Sequence, residues 1–448
     1  MDIKISKGKD IKIKGVADRV YANIQNSQFY AIKPTDFHLL TPKMVVNVGD
    51  LVDSGDCIFY DKNDNRVKFS SPVSGSIHDI VRGEKRKILE IVIEADKNIK
   101  YRSFVKRNLP ELNRQIIIDD LLDSGLWPLI RQRPFNTIAN PDDKPKSIFI
   151  SAFDSAPLAP DNDFIFHGDK DLFQLGLDII SQLSDGTTHL NLDGNSNSAQ
   201  VFNNAQGVQV NKIYGPHPAG NVGVQIHHID PINKGDVVWY LYPQDIITIA
   251  RFFRDAKYDA SKIIALTGSM VKKPRYYRII QGMSIISIVD DNMLDGEKRL
   301  ISGNVLTGDR ILENGYIGFY DFQLSIIPEG NYSEFLGWLL PGFHKYSFSR
   351  TFFSWINTHK EYNLDSNNHG EERAFVMTGQ YESYMPIDIF PVQLIKAILI
   401  EDIELMENLG IYEVDSEDFA LCEFACTSKI SVQSIVRRGL DLIKKECS

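Results

Sequence analysis

The spacing of hydrophobic positions changes along the chain and divides it into four regions. Up to about residue 104, short segments alternate apolar and polar residues between Gly-Asp turns, which is typical of a small β-sandwich. Residues 105–256 alternate buried-type strands with amphipathic helical segments, which predicts an open, mostly parallel sheet with helices on both faces. Residues 257–330 return to strands with Gly-rich turns, including one predicted over Tyr316–Tyr320. Region 331–448 ends in helical spacing from about Pro391.

The segment Tyr214–Pro231 stands out in the second region because its first ten residues exclude a regular helix or a central strand. It holds three glycines and two prolines there: Gly215, Gly220, Gly223, Pro216 and Pro218. One interpretation is a tight structural turn between a strand and a helix. The other is a loop whose backbone approaches a ligand, a neighbouring domain or a partner chain. Since it follows the predicted strand Val208–Tyr214, we expect it at the sheet edge where ligands bind.

Three histidines lie in or just after this loop. His217 stands between two prolines, and a rigid loop can hold an imidazole to donate a hydrogen bond to a carbonyl oxygen, as quinone binding requires. His227 and His228 are adjacent, so on a strand they would point to opposite faces and could not bind one metal ion together.

Several catalytic and cofactor motifs are missing from the sequence. It has no Gly-x-Gly-x-x-Gly after a strand and no Gly-Lys-Ser/Thr of the Walker type, which argues against NAD or ATP binding. It also has no Gly-x-Ser-x-Gly elbow and no His-Glu-x-x-His helix, so nothing indicates a hydrolase.

Composition narrows the class of protein further. The chain has 448 residues, a net charge of −10 and a pI near 5.5, and an acidic balance argues against nucleic acid as a partner. Nothing resembles a signal peptide, and no uncharged apolar run approaches the roughly 18 residues that span a bilayer. Four cysteines in this length favour a reducing cytoplasm over a disulfide scaffold.

Three further features each leave two interpretations. Cys422 and Cys426 lie on one side of a predicted helix. They are either free buried thiols or a metal-binding or redox-active pair. The aromatic-rich stretch after Glu329 fits core or interdomain packing, or else a partner-facing or lipid-facing surface. Lys62 lies between two pieces that resemble the barrel-sandwich fold of lipoyl and biotinyl carriers, but its polar surroundings favour an ordinary solvated hairpin over a modified lysine.

Five motifs, taken in order, resemble one protein family along essentially the whole chain: Gly125–Phe135, Gly215–Gly220, Ile301–Gly308, Leu336–Phe343 and Met385–Pro391. The family is that of the A subunits of the bacterial sodium-translocating NADH:quinone oxidoreductase. The resemblance implies a peripheral subunit without a transmembrane helix, on the cytoplasmic side of the inner membrane, among five other subunits. It also implies an association with ubiquinone and no tightly bound redox cofactor of its own.

By the same resemblance, the folds are a barrel-sandwich (biotinyl/lipoyl-like) domain over 1–104, a Rossmann-like α/β domain over 105–256, a β-grasp-like (SLBB-type) module over 257–330, and an aromatic-rich segment with a C-terminal helical domain over 331–448. We expect a quinone-associated docking subunit that is not catalytic alone, within a complex that couples NADH oxidation to Na+ export. The alternative is a purely structural scaffold, with quinone held only by membrane subunits. Candidate quinone-binding or partner-facing residues are His217, Gly220, Gly223, His227, Trp338 and Phe343, with no metal ligands.

Overall fold

The computed structural model describes residues 1–196, 198–337, 339–357 and 359–447, and these form twenty strands and eleven α-helices. The strands are β1 (Asp2–Lys4), β2 (Asp18–Ala22), β3 (Phe29–Ile32), β4 (Pro42–Met44), β5 (Leu51–Val52), β6 (Cys57–Asp61), β7 (Lys68–Ser70), β8 (Gly75–Arg82), β9 (Ile88–Ala95), β10 (Arg131–Arg133), β11 (Thr137–Ile138), β12 (Ser147–Ser151), β13 (Thr187–Asp193), β14 (Gln209–Tyr214), β15 (Val238–Leu241), β16 (Ser261–Thr267), β17 (Arg275–Ile280), β18 (Lys298–Ser302), β19 (Asp309–Ile311) and β20 (Gln323–Pro328). The helices are α1 (Arg114–Ser124), α2 (Asn162–Ile165), α3 (Lys170–Ile180), α4 (Gln200–Asn203), α5 (Val222–Ile229), α6 (Pro243–Asp255), α7 (Ile286–Val289), α8 (Pro391–Leu399), α9 (Ile403–Asn408), α10 (Ala420–Ala425) and α11 (Val432–Cys447).

The N-terminal β region consists of two small sheets, ordered β3-β9-β8-β5 and β4-β6-β7. Phe59 and Phe69 stack at 4.4 Å between ring centroids in its buried core. Lys62 is exposed in the turn between β6 and β7, as expected for a solvated hairpin. The alternation of apolar residues therefore predicted this region correctly as a β-sandwich.

The second region contains a seven-stranded sheet in the order β1-β14-β13-β12-β15-β10-β11. Strands β1, β14, β13, β12 and β15 run parallel, and β10 and β11 are antiparallel at one edge. The N-terminal strand forms as predicted, but it pairs with β14 instead of with the β-sandwich. Burial of Ile3 and Ile5 against Ile213 accounts for this pairing.

The third region is a six-stranded sheet ordered β19-β18-β20-β16-β17-β2. The strand predicted at Tyr316–Tyr320 is absent among the described elements, and β20 begins instead at Gln323. Carbonyl oxygens of Gly318 and Phe319 accept hydrogen bonds from Lys262 Nζ at 2.9 and 3.1 Å. These carbonyls serve the buried ammonium group, so they are not part of a strand ladder.

The C-terminal region is helical, with two corrections to the predicted elements. The single helix expected over Val392–Leu409 is divided into α8 and α9 at Glu401, whose φ is +58°. Asp402 then caps α9 by accepting a hydrogen bond from the Leu405 N–H at 3.0 Å. The sequence predicts Ser416 as the cap of the next helical segment, but Asp415 fills that role. Among the described residues, no helix is both long enough and apolar enough to cross a membrane.

Candidate functional site at the switch point of the parallel sheet

The order of the parallel strands places a ligand-type crevice between β12 and β15. In chain order the strands β12, β13 and β14 extend the sheet in one direction, and β15 then joins the other side of β12. Ligands of such sheets bind at the carboxyl ends of the two strands where this order reverses. Here those ends lead into Asp154 and Ser155 after β12 and into Tyr242 after β15.

The Gly/Pro loop over residues 215–221 reaches across to this switch point. The Gly220 N–H donates a hydrogen bond to Ser155 Oγ at 2.7 Å, and His217 Nδ1 lies 3.1 Å from the same oxygen. A β-carbon at position 220 would lie 2.3 Å from the Ser155 backbone nitrogen, so only glycine allows this approach. The loop therefore lies, as predicted, at the edge formed by the carboxyl ends of the parallel strands.

His217 itself faces the interior of the chain. Its side chain is buried, its Nε2 atom has no hydrogen-bond partner in the described part of the chain, and burial lowers its pKa to about 4. The N-terminal segment covers it, because its backbone N–H donates to Asp10 Oδ1 at 2.9 Å and its carbonyl accepts from the Lys9 N–H at 2.7 Å. The imidazole is therefore neutral at pH 7.

Gly223 and His227 belong to a helix, although the pattern of glycines and prolines excludes a regular helix as far as Gly223. Helix α5 begins at Val222, and a β-carbon on Gly223 would lie 2.5 Å from Asp418 Oδ2, so tertiary packing outweighs the low helix propensity of glycine. His227 Nδ1 lies 2.7 Å from Glu413 Oε2, while its Nε2 accepts from the Asp388 N–H at 3.1 Å. Both residues thus lie against the C-terminal helical region.

The two remaining candidates lie in the aromatic-rich segment. Phe343 is more than half exposed, and its ring lies 5.8 Å from that of Phe353 in the same segment. Trp338 lies outside the described residues. The structure therefore brings His217 and Gly220 together at Ser155, and it places Phe343 on an exposed surface.

An arginine surrounded by tyrosines lies beside the switch point and was not predicted. The guanidinium carbon of Arg131 lies 4.5 Å from the ring centre of Tyr240, 5.1 Å from that of Tyr242 and 4.3 Å from that of Tyr320. No described residue accepts a hydrogen bond from this guanidinium group. Such a cage holds the cation by its ring quadrupoles and leaves its N–H donors free.

Arg131, Asp154, Tyr242, Tyr320 and Glu417 lie close together at this point of the sheet, and we call the place they define the switch-point crevice. Burial raises the pKa of Asp154, although its side chain is exposed to solvent. Burial likewise raises the pKa of Tyr242, Arg131 opposes that rise, and the charge of Asp154 adds to it.

Behind the crevice, a second arginine joins the α/β sheet to the C-terminal region. Arg133 is buried, donates a hydrogen bond to Glu417, and lies 3.8 Å from Asp415 and 3.7 Å from Asp418. Burial raises the pKa of Asp418 to about 7, against the opposing charge of Arg133. Burial also disfavours the charged form of Asp415, but Arg133 and Arg437 hold its pKa below its usual range.

The described part of the chain shows the state of the two C-terminal cysteines and the arrangement of possible metal ligands. Cys422 and Cys426 are buried free thiols, and Cys422 Sγ lies 3.8 Å from the Tyr381 carbonyl oxygen. Burial raises the pKa of Cys422, which keeps this thiol protonated. No group of three or more His, Cys, Asp or Glu side chains there is arranged to hold a metal ion.

Three family models match consecutive parts of the chain. One described as the NqrA N-terminal barrel-sandwich hybrid domain matches residues 3–96, and one described as the NqrA second alpha/beta domain matches residues 112–258. A third, described as the NQRA C-terminal domain, matches residues 263–313. The predicted barrel-sandwich domain and the α/β domain that follows it are thereby confirmed.

Curated relatives are similar over nearly the full length of both proteins. The A subunit of the Na(+)-translocating NADH-quinone reductase of Hahella chejuensis is 36% identical over 455 residues, covering 99% of this chain and 100% of the relative. The proteins of the same name from Glaesserella parasuis and Rhodopirellula baltica are 37% and 35% identical, and each alignment covers 99% of this chain. This chain belongs to the family of A subunits of the sodium-translocating NADH–quinone reductase.

Proposed function

We propose that this chain is the A subunit of a sodium-pumping NADH:ubiquinone reductase, positioned peripherally on the cytoplasmic side of the membrane among five other subunits. The observation that carries this proposal is the similarity to relatives of that name across the whole chain. The relatives' names supply the reaction, electron transfer from NADH to quinone coupled to Na+ transport. The chain contributes docking and quinone association, and other subunits carry the redox cofactors.

Finer fold assignments belong to the same proposal. We infer a Rossmann-like domain over 105–256, a β-grasp-like (SLBB-type) module over 257–330 and a helical domain within 331–448. The strand order of the parallel sheet supports the first of these. Residues 2–4 and 18–22 contribute strands to the second and third units, although they precede the N-terminal sandwich in sequence.

An exposed apolar surface supports docking on a membrane subunit. We call it the aromatic surface; its exposed members are Phe335, Leu336, Leu339, Leu340, Phe343, Phe353, Trp355 and Ile356. Phe335 is 90% exposed, which leaves most of its ring in water in the isolated chain. Exposed apolar side chains grouped in one segment mark interaction sites, and a membrane subunit would offer an apolar surface to cover them.

The proposed membership can be tested with a tagged chain purified from membranes. We expect it to recover the other subunits together with Na+-dependent NADH–quinone reductase activity. The double variant Phe335→Asp/Phe343→Asp should recover less of the membrane subunits, because it places charges on the docking surface. Leu51→Asp, at an exposed position on β5, is the matched control. Recovery of no other subunit by the unmodified chain would refute membership, and equal recovery by all three proteins would refute docking through the aromatic surface.

The switch-point crevice fits a quinone head group better than a dinucleotide. A quinone is a neutral planar ring with two carbonyl acceptors, and Arg131 offers free N–H donors between aromatic rings. Phosphates would meet the carboxylates of Asp154 and Glu417 instead, without a glycine loop to bind them. We therefore propose that ubiquinone binds in this crevice, and that Ser155 with the loop carrying His217 and Gly220 forms one wall.

Labelling with a photoreactive ubiquinone tests this site in the assembled complex. Arg131→Gln should lower labelling of this chain about tenfold, the effect of losing a hydrogen bond worth roughly 1.4 kcal/mol. Arg251→Gln is the control, because Arg251 is also partly buried but hydrogen-bonds Ser261 and does not line the crevice. Unchanged labelling in Arg131→Gln, or label confined to membrane subunits, would contradict the site and favour the scaffold alternative.

A further inference from the structure

A second opening lies between the N-terminal sandwich and the third sheet, and its lining residues are not those of the switch-point crevice. This groove has a volume of about 730 Å³. One wall is the outer face of the β8–β9 hairpin, and the other is β19 with the turn that follows it. Volumes of roughly 300–1,000 Å³ are common for ligand sites. The chemistry of the two walls must therefore identify the occupant.

The wall formed by β19 is the free edge of a sheet. Strand β19 is the last in its sheet and pairs only with β18 in the described part of the chain. All three of its residues, Asp309–Ile311, line the groove, so the groove runs along this free edge. An open edge of this kind is a template for pairing with an added strand. An extended peptide satisfies these groups, whereas a compact small molecule cannot follow the edge.

The opposite wall alternates acidic and apolar side chains. Asp79 pairs across the hairpin with Val92, and Val81 pairs with Glu90, so both carboxylates lie on the face that lines the groove. Burial raises the pKa of Glu90, as expected for a carboxylate in a recess. This pattern complements an extended segment whose side chains alternate basic and apolar.

The positive charges in the groove are already engaged within the chain. Lys33 Nζ lies 3.5 Å from Asp36 at the floor, and Arg310 lies 3.2 Å from Glu329. No described residue forms an ion pair with Asp79, Glu90 or Asp309 at the groove. Burial raises the pKa of Glu90 and of Asp309, and the charge of Lys33 opposes that rise, but three carboxylates around one lysine leave an acidic excess that selects a basic ligand.

Two hydrogen bonds hold the floor of the groove together, which favours a preformed docking site. The Phe319 N–H donates to Asp36 Oδ2 at 2.8 Å, and Lys33 Nζ donates to the Tyr316 carbonyl at 3.4 Å. These bonds join the sandwich to the third sheet across the bottom of the groove. Preformed sites bind extended peptides without an ordering cost on their own side.

We propose that this groove seats an extended, basic segment of a partner chain, which adds as a strand to the edge of β19. The proposal goes beyond the assigned family and rests on the proposed membership of a multi-subunit complex only for the identity of the partner. It is independent of the aromatic surface and of the switch-point crevice, which use other residues.

Photocrosslinking in the assembled complex tests the groove directly. p-Benzoylphenylalanine replaces Leu312, which is 71% exposed at the groove rim, and, as a control, Leu51, which is 83% exposed outside it. We expect the first position to form an adduct with a partner chain, mapped by mass spectrometry to a peptide rich in Lys and Arg. If the other subunits are recovered and position 312 forms no adduct, the groove proposal fails while the membership proposal stands.

Charge reversal sharpens the test. Asp79→Lys/Glu90→Lys should lower the adduct yield at position 312 about tenfold, because repulsion replaces two attractions. Glu84→Lys/Glu297→Lys adds the same charge at exposed positions that do not line the groove and should leave the yield unchanged. An adduct with an acidic peptide, with a lipid or with a small molecule would overturn the proposal, as would a yield unaffected by the first pair of substitutions.

Discussion

Arg133→Ala should lower the free energy of unfolding by about 3–5 kcal/mol, since it removes one partner from a buried charge cluster. Arg133, Asp415 and Asp418 are at most 2% exposed, so Asp418 would lose its cation without gaining water, while Asp415 would keep Arg437 at 3.3 Å. The loss should be larger at pH 8 than at pH 6. Asp418 has a pKa of about 7, so its carboxylate needs the cation more at the higher pH.

Urea denaturation followed by tryptophan fluorescence measures this loss, because Trp127 and Trp239 are buried 5.5 Å apart in the same α/β region. Arg254→Ala breaks the exposed pair with Asp255 and should change stability by less than about 1 kcal/mol. The double variant Arg133→Ala/Asp418→Asn should lose less than the sum of its single variants, because the second change removes an unpaired carboxylate. Strict additivity would show that the cluster is not coupled.

Gly220→Ala should destabilise the chain by about 1–3 kcal/mol and displace the loop from the switch point. The new β-carbon would lie 2.3 Å from the Ser155 nitrogen and 2.9 Å from the Asp154 carbonyl carbon, and neither backbone atom can rotate away. Displacement would also break the Gly220 N–H hydrogen bond to Ser155 Oγ. The variant should therefore show a lower melting temperature and weaker quinone labelling.

Gly370→Ala is the matched control for this substitution, because a β-carbon at that position meets no atom within 4 Å. The comparison separates the clash from the general effect of replacing glycine, which stabilises a chain where the backbone permits it. Equal melting temperatures for the two variants would show that the loop yields easily at Ser155. The loop that forms this wall of the switch-point crevice would then be able to shift without loss of stability.

The fold of the second region could be predicted from the local spacing of its hydrophobic residues. Strands β12 to β15 and the helices α3 and α6 each show their own period, and the βαβ alternation permits one kind of sheet. The position of the Gly/Pro loop followed from the strand that precedes it. The start of helix α5 at Val222 did not follow from the sequence. Glycine is needed at position 223 because Asp418, almost two hundred positions later, packs against it.

The switch-point crevice could not be predicted from the pattern, for a similar reason. Its lining side chains come from five separate parts of the chain, at positions 131, 154, 242, 320 and 417. Arg131 stood within a recognised family motif, but nothing near it indicates that three tyrosines surround it. A half-buried arginine such as Arg131 indicates a site only after the pairing of its strand with the neighbouring strands is known.

The pairing of β1 with β14 limits how this protein can be divided. The first strand forms the outer edge of the parallel sheet, and Ile3 and Ile5 cover Ile213 beside it. A fragment starting at residue 105 would keep every residue of its own sequence region and still expose the bare edge of β14. Exposed edges pair with other chains. By pairing with β14, the amino-terminal residues cover an edge that would otherwise promote aggregation, although the rest of that sheet is synthesised more than a hundred residues later.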